Sequence, residues 1–280
     1  MVAELEERHG ELSSRDGTRL RWRAWDVESE APVVAVVHGH GEHGGRYSRL
    51  ARALAPHGHS TYAFDLRGMG ESAGQRGHVG RWQEWVEDVA AFAAFAQDRA
   101  AGREVVPLGH SMGGVLLVSS LLAGAVGPRR FVVSNPAFET TVAVPSWKIG
   151  LGRLTSRLAP RLAMGTGLDP AQISRDPEQV AAYREDPLVH DRMTSRFFTE
   201  WRAASEEALR RAAEVTQPFL LILGEADPIT DIRAARRFAE RTRAEHQVKV
   251  YEGRYHEPFN DVGSEEVFTD LAGWLAAGPS

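Results

Sequence analysis

The chain has no cysteine. That absence excludes disulfides, a thiolate nucleophile, and zinc or iron–sulfur sites held by thiolates. It leaves the redox compartment open, because a chain without thiols tolerates either poise. Basic residues are not in excess: 33 Lys and Arg stand against 38 Asp and Glu, for a net charge of −5. A nucleic-acid binder is more often basic, so no nucleic-acid partner is expected. Among those basic residues only Lys148 and Lys249 are lysines, which reads as coding bias and not as physics. Long hydrophobic runs are also missing. The most apolar stretch, from Val115 to Val126, carries two serines and is too short to span a bilayer. The first residues, Met1 to Gly17, are polar and acidic, without the basic-then-apolar order of a secretory signal. The expectation is a soluble, cytoplasmic protein, at most peripheral to a membrane.

What is present is ordinary globular composition, 42% hydrophobic and 25% charged over 280 residues. Such a chain can bury a sizeable core without staples. Strand-length apolar runs alternate with helix-length segments. Leu12–Ser14 and Leu20–Trp25 flank Asp16-Gly17, a hairpin turn. Then come Val33–Val37, Thr61–Phe64, Glu104–Leu108, Phe131–Val133, Phe219–Leu223 and Val248–Tyr251. These runs are apolar on both faces, as buried parallel strands require. Arg81–Arg99, Gly114–Leu122, Ile232–Arg243 and Glu265–Ala277 have helical length and composition. The alternation predicts an α/β fold with a mostly parallel central sheet and helices on both faces. Residues 137–214 break the pattern, with no clear strand, and read as a helical cap inserted between two strands. The core is then 1–136 and 215–280. An insertion at strand carboxyl ends sits where α/β folds bind ligands.

Gly109-His110-Ser111-Met112-Gly113 fits G-x-S-x-G, with a strand before it and a helix after it. That context needs a tight, strained turn that exposes the Ser111 hydroxyl, and it points the Met112 N–H at an oxyanion. A serine is a poor nucleophile until a base takes its proton. In the order serine, acid, histidine, the histidines after Ser111 are His190, His246 and His256. His190 falls in the insertion and His246 begins a strand, so His256, just beyond the last strand, is the expected base. The acid should follow the preceding strand, where Glu225, Asp227 and Asp231 lie. Asp227 has the better offset; a competing role for it is to cap the next helix. The second oxyanion donor should be the His40 N–H in the loop His38-Gly39-His40-Gly41-Glu42-His43-Gly44-Gly45.

That loop also spells G-x-G-x-x-G, with Asp65 downstream, a weak dinucleotide-binding fingerprint. A dinucleotide fold explains none of Ser111, Asp227 and His256. The histidines His38, His40 and His43 lack the carboxylate spacing of a metal site, so neither metal nor cofactor is expected.

Together these motifs resemble the monoacylglycerol lipase and lysophospholipase group of α/β-hydrolases, from about Glu11 to about Leu275. The shared segments are His38-Gly39-His40-Gly41-Glu42-His43 followed by Arg46-Tyr47, Asp65-Leu66-Arg67-Gly68-Met69-Gly70-Glu71-Ser72, Gly109 to Gly114, Asp227-Pro228-Ile229 and Tyr251-Glu252-Gly253-Arg254-Tyr255-His256. The resemblance implies a Ser111–His256–Asp227 triad, an oxyanion hole of the His40 and Met112 amides, and a small lipid ester substrate. It also implies that Tyr183, in Tyr183-Arg184-Glu185-Asp186-Pro187-Leu188, lies near an alcohol pocket shaped by a Glu42–Arg46 pair. A simple loop-stabilising ion pair is the plainer reading of Glu42 and Arg46. The segment after His256, Glu257-Pro258-Phe259-Asn260, departs from the vertebrate members. General short-chain esterase, proline-type peptidase and a non-catalytic binding module of the same fold remain as alternatives. Within the cap, Trp147, Leu151, Leu154 and Leu158 form one helical stripe near Arg153, Arg157 and Arg161. The stripe either packs over the pocket or makes transient contact with a membrane or micelle.

Overall fold

The computed structural model describes residues 5–142 and 144–278; the first residues of the acidic N-terminal stretch, 1–4, lie outside the described residues. Eight strands form one sheet: β1 (Glu7–Ser13), β2 (Arg19–Trp25), β3 (Val33–Val37), β4 (Thr61–Phe64), β5 (Val105–His110), β6 (Phe131–Ser134), β9 (Phe219–Gly224) and β10 (His246–Tyr251). Their order across the sheet is β1-β2-β4-β3-β5-β6-β9-β10. The β1–β2 and β2–β4 pairs are antiparallel and all others are parallel. The helices are α1 (Ser48–Leu54), α2 (Trp82–Arg99), α3 (Met112–Leu122), α4 (Ser146–Leu158), α5 (Pro177–Glu185), α6 (Ser195–Arg210), α7 (Ile232–Arg241) and α8 (Ser264–Ala277).

Strand side chains alternate between two cores. Val33, Ala35 and Val37 of β3, with Phe219, Leu221 and Leu223 of β9, face α2, α3 and α7. Val34 and Val36, with Leu220 and Ile222, face α1 and α8. Each fully buried aliphatic or aromatic side chain contributes about 1.5–3 kcal/mol, which is why these runs are apolar throughout. The predicted α/β architecture is the observed one.

Three details differ from the sequence reading. Strand β10 is an edge, and its Val248 and Val250 are exposed instead of buried. Helix α1, two turns behind a glycine-rich loop, carries too little periodicity to announce itself. The insertion does hold strands, β7 (Ala163–Gly165) and β8 (Arg192–Thr194), paired antiparallel. Three residues are too few to show alternation.

Residues 137–214 lie between β6 and β9 and supply α4, α5 and α6. They are tied to loops at the carboxyl ends of the parallel strands. The His190 N–H donates to the Gly41 carbonyl (2.9 Å), and the Glu257 N–H donates to the Ile173 carbonyl (2.9 Å). His43 Nε2 meets Asp186 Oδ2 at 2.8 Å. Gly41 has φ +74°, and a Cβ there would sit 2.2 Å from the His190 carbonyl, so only glycine fits. Among the described residues no helix is long and apolar enough to cross a membrane.

Candidate active site

Ser111 stands between β5 and α3 with φ 53° and ψ −122°, a backbone that a side-chain-bearing residue adopts only under constraint. The constraint is visible. The Ser111 N–H donates to the Ser134 carbonyl on β6, and its own carbonyl accepts from the Gly114 and Ala137 amides. At Gly113 a Cβ would lie 2.1 Å from the Val37 carbonyl, so α3 can start this close to β3 only with glycine there.

The sheet brings three side chains together from distant places. His256 Nε2 lies 2.9 Å from Ser111 Oγ, and His256 Nδ1 lies 2.8 Å from Asp227 Oδ2. All three residues are buried. With Nδ1–H donating to the carboxylate, Nε2 is left to accept the serine proton. Asp227 accepts further bonds from the Ile229 and Thr230 amides, from the Thr230 hydroxyl and from Asn135 Nδ2 (2.6 Å). Burial works to raise the Asp227 carboxyl, but the neighbouring His256 and these hydrogen bonds outweigh it and hold the group far below the usual carboxylate range. For His256, burial lowers the imidazolium, while the charge and hydrogen bond of Asp227 raise it; the net direction is upward. His110, packed against His256, is pushed down to about 4 by burial and by the charge of His256.

Asn135 is absent from the sequence reading. It follows β6 with φ 39°, a left-handed conformation that Asn tolerates. Its Oδ1 accepts from the Gly224 N–H while its Nδ2 donates to Asp227, so it ties β9 to the carboxylate. Of the other acids considered, Asp231 caps α7 and Asp227 does not.

The His40 N–H makes no hydrogen bond among the described residues, and Met112 opens α3, where an amide has no partner within the helix. Both residues line the same cavity as Ser111. The His40 ring is buried against Phe197 and His190, and burial drops it to about 3, so it is neutral. His38 and His43 are each engaged with protein groups: Gly39 and Leu66 for the first, Gly45 and Asp186 for the second. Asp65, the acid a dinucleotide reading would need, spends its carboxylate on Arg23 and on the Gly44 and Glu71 amides.

Beside the triad lies a buried ionic group. Arg46 donates through Nη1 to Glu42 Oε2 (2.8 Å) and through both Nη1 and Nη2 to Glu257 (2.7 Å each). The Tyr183 ring of α5 covers the guanidinium at 4.6 Å. Burial works to raise Glu42, but Arg46 and the nearby histidines bring it down to about 2. Glu42 also accepts from the Gly39 N–H (2.6 Å) and the Tyr47 hydroxyl (3.0 Å). Glu42, Tyr183 and Glu257 line the cavity, while Arg46 stands behind the two carboxylates. Glu257, which the sequence marked only as the start of the segment that departs from the vertebrate members, is therefore a site residue, and its bond to Arg46 is what assigns it.

The cavity has a volume of about 1060 Å³, and Ser111, His256 and His40 stand in its wall. Much of the remaining wall is apolar, including Met112, Leu151, Ile173, Phe197, Phe198 and Trp201. No Arg or Lys side chain lines it among the described residues.

A nucleophile elbow with an acid and a histidine in hydrogen-bonding line, on a sheet of this topology, defines the serine hydrolase class of α/β-hydrolases. Comparison with known proteins narrows this. Residues 28–263 match the family model described as serine aminopeptidase, S33. The monoacylglycerol lipase of Mycolicibacterium smegmatis is 31% identical, covering 99% of each chain. Human monoglyceride lipase is 30% identical over 95% of this chain and 89% of its own. The crystal structure of the Paleococcus ferrophilus monoacylglycerol lipase superposes with a TM-score of 0.80 at 30% identity, covering 97% of this chain and 99% of that one. The chain belongs to this family of serine hydrolases, among its monoacylglycerol-lipase-like α/β-hydrolases, and is an ester hydrolase.

Proposed function

We propose that the protein hydrolyses a lipid monoester, a monoacylglycerol ahead of a lysophospholipid, through an acyl-enzyme on Ser111. The observation that carries this is the Ser111–His256–Asp227 hydrogen-bonded line opening onto a large, mostly apolar cavity, with no Arg or Lys side chain in its wall among the described residues. His256 takes the Ser111 proton as the hydroxyl attacks the ester carbonyl. Asp227 holds the imidazole tautomer and stabilises the imidazolium. The His40 and Met112 amides receive the oxyanion; losing one such donor typically costs about 3 kcal/mol. His256 then returns the proton to the leaving glycerol oxygen, and water releases the fatty acid by the reverse sequence.

A phosphate head group would meet Glu42 and Glu257 and find no free guanidinium, because Arg46 is engaged by both. Glycerol hydroxyls can instead donate to those carboxylates, with Tyr183 beside them. Residues 137–214 act as a cap that closes the acyl cavity, and 1–136 with 215–280 form the core. In this reading the enzyme is cytoplasmic, needs no cofactor, and touches a membrane or micelle transiently through the cap. A peptidase is the second reading, favoured by the family description and by the two carboxylates in the wall. The apolar wall argues for an acyl chain.

The test is turnover of 1-oleoylglycerol, oleoyl lysophosphatidylcholine, a short p-nitrophenyl ester and proline p-nitroanilide. The glycerol ester is expected to have the highest kcat/KM. Ser111→Ala should lower its kcat by roughly 10⁴-fold or more with the fold intact. Near-normal turnover by that variant, or an anilide preferred over the esters, would overturn the reading. Failure of a fluorophosphonate probe to label Ser111 would return the chain to a binding module.

A further inference from the structure

The His40 side chain differs from the other polar groups of the site. Neither of its ring nitrogens has a hydrogen-bond partner among the described residues, and both are shut off from solvent. Buried polar atoms left in this way are uncommon. With no hydrogen bond to fix it, the ring is oriented only by what packs against it. That packing is an unbroken row of rings. The His40 ring meets the Phe197 ring edge-on at 4.8 Å and 74°. Phe197 meets Trp85 at 4.7 Å and 79°, and Trp85 meets Trp82 at 5.3 Å and 88°. On its other side His40 lies edge-on to His190 at 5.8 Å and 80°. Edge-to-face is a preferred geometry of such pairs, so each ring constrains the tilt of the next.

The row joins separate parts of the fold. Trp82 and Trp85 lie on α2, Phe197 on α6 and His190 just before β8, so it runs from the core through the insertion to the loop after β3. Its inner end is anchored. Trp85 is fully buried, and its indole N–H donates to the Arg67 carbonyl at 3.2 Å. The Trp82 N–H donates to Glu200 Oε2 (2.9 Å), which ties α2 to α6. At the outer end the chain is fixed on either side of His40. The Gly39 N–H is held by Glu42 Oε1 (2.6 Å), and the Gly41 carbonyl by the His190 N–H (2.9 Å). Between those two ties the His40 N–H is left without a partner among the described residues. The loop passes close to the nucleophile: a Cβ on Gly39 would lie 3.1 Å from Ser111 Cβ.

We infer that Trp85 and Phe197 are positioning residues for the oxyanion hole: through the His40 ring they set the direction in which the His40 N–H points at the reacting carbonyl. The inference rests on the proposed acyl-enzyme chemistry, since it needs that N–H as an oxyanion donor. Trp85 is absent from the cavity wall, so it acts through its neighbours and not by contact with a bound ester. Protein interiors are close-packed and transmit strain, so a gap opened at Trp85 is passed to Phe197 and on to His40. The oxyanion develops only on the way to the transition state, so the row should act on kcat and not on ground-state binding.

The experiment is steady-state kinetics of Trp85→Leu, Trp85→Phe and Phe197→Leu on 1-oleoylglycerol. It is paired with inhibition by a long-chain alkyl trifluoromethyl ketone, whose adduct with Ser111 places an oxyanion in the hole. A misplacement of about 1 Å costs on the order of 100-fold in rate. Trp85→Leu should therefore lower kcat by roughly 100-fold with KM little changed, and weaken the ketone by a similar factor. Trp85→Phe keeps an aromatic edge and should recover most of that loss. The acid limb of kcat/KM should stay in place, because neither His256 nor Asp227 belongs to the row. If Trp85→Leu does not fold, Phe197→Leu carries the test, and its kcat and ketone affinity should fall together. A lowered Tm with unchanged kcat, a loss confined to KM, or a shifted acid limb would each overturn the inference. Absence of ester turnover in the unmodified protein would overturn the proposed function, whereas normal turnover matched by Trp85→Leu would overturn this inference alone.

Discussion

Replacing Arg46 by methionine strands two buried carboxylates that now share its guanidinium. The side chains of Glu42 and Glu257 are only 5% and 7% exposed. Breaking a buried pair by removing one partner costs about 3–5 kcal/mol, because the charge left behind is neither solvated nor compensated. Glu42 keeps its bonds from Tyr47 and Gly39, and Glu257 keeps its bond from Asn260 Nδ2, so the low end, about 3 kcal/mol, applies. In a chain of this size each kcal/mol moves Tm by roughly 2–4 °C, giving a loss of about 6–12 °C at pH 8. The sign of the pH dependence follows from Glu42. Its folded-state pKa, about 2 against an ordinary 4.5, is depressed. In the native protein its contribution is therefore present above the ordinary value and lost only as pH falls through about 2. Without Arg46, burial is no longer offset at Glu42, and uptake of a proton there relieves the cost. The gap between native and variant protein should thus shrink from pH 8 to pH 5. Because Glu42 also holds the Gly39 amide next to His40, kcat should fall as well. Adding Glu257→Gln should recover part of the lost Tm. Differential scanning calorimetry at the two pH values reads all of this. A drop under 2 °C at pH 8, or an equal drop at both, would refute the argument.

Two further expectations concern the triad and its loop. His256 is raised by Asp227, so the acid limb of kcat/KM, where loss of its proton switches activity on, should lie above the ordinary histidine value. Asp227→Asn should move that limb down and lower kcat by roughly 10⁴-fold, since the tautomer is no longer held; a limb that stays put would separate it from His256. In Gly41→Ala the new Cβ collides with the His190 carbonyl from a positive-φ position. Tryptic cleavage within 137–214 should then quicken and kcat/KM fall, whereas unchanged proteolysis and turnover would show that the Gly41–His190 bond does not hold the insertion in place.

Much of this site could be read in the sequence because strand ends are marked there. Buried parallel strands must be apolar on both faces, so Val33–Val37 and Phe219–Gly224 stand out, and the polar residue after each run is already a site candidate. Ser111 and Asp227 follow that logic directly. Its limits are equally physical. His246–Tyr251 looks buried but forms the sheet edge, because pairing order is not written in any single strand. Asn135 and Glu257 escaped because their roles rest on partners that only the fold supplies, Asp227 for the first and Arg46 for the second.

The sequence by itself determined the layered α/β arrangement, the elbow at Ser111 and the order of serine, acid and histidine, since these rest on local periodicity and on glycine where backbone must touch backbone. It left open whether the stripe on α4 faces inward or outward, because a helical period states which residues share a face but not what that face meets. Only the tertiary structure decided that, turning Leu151, Leu154 and Leu158 outward. It alone closed the gap between positions 111, 227 and 256, and set Arg46 between two carboxylates 215 residues apart in the chain.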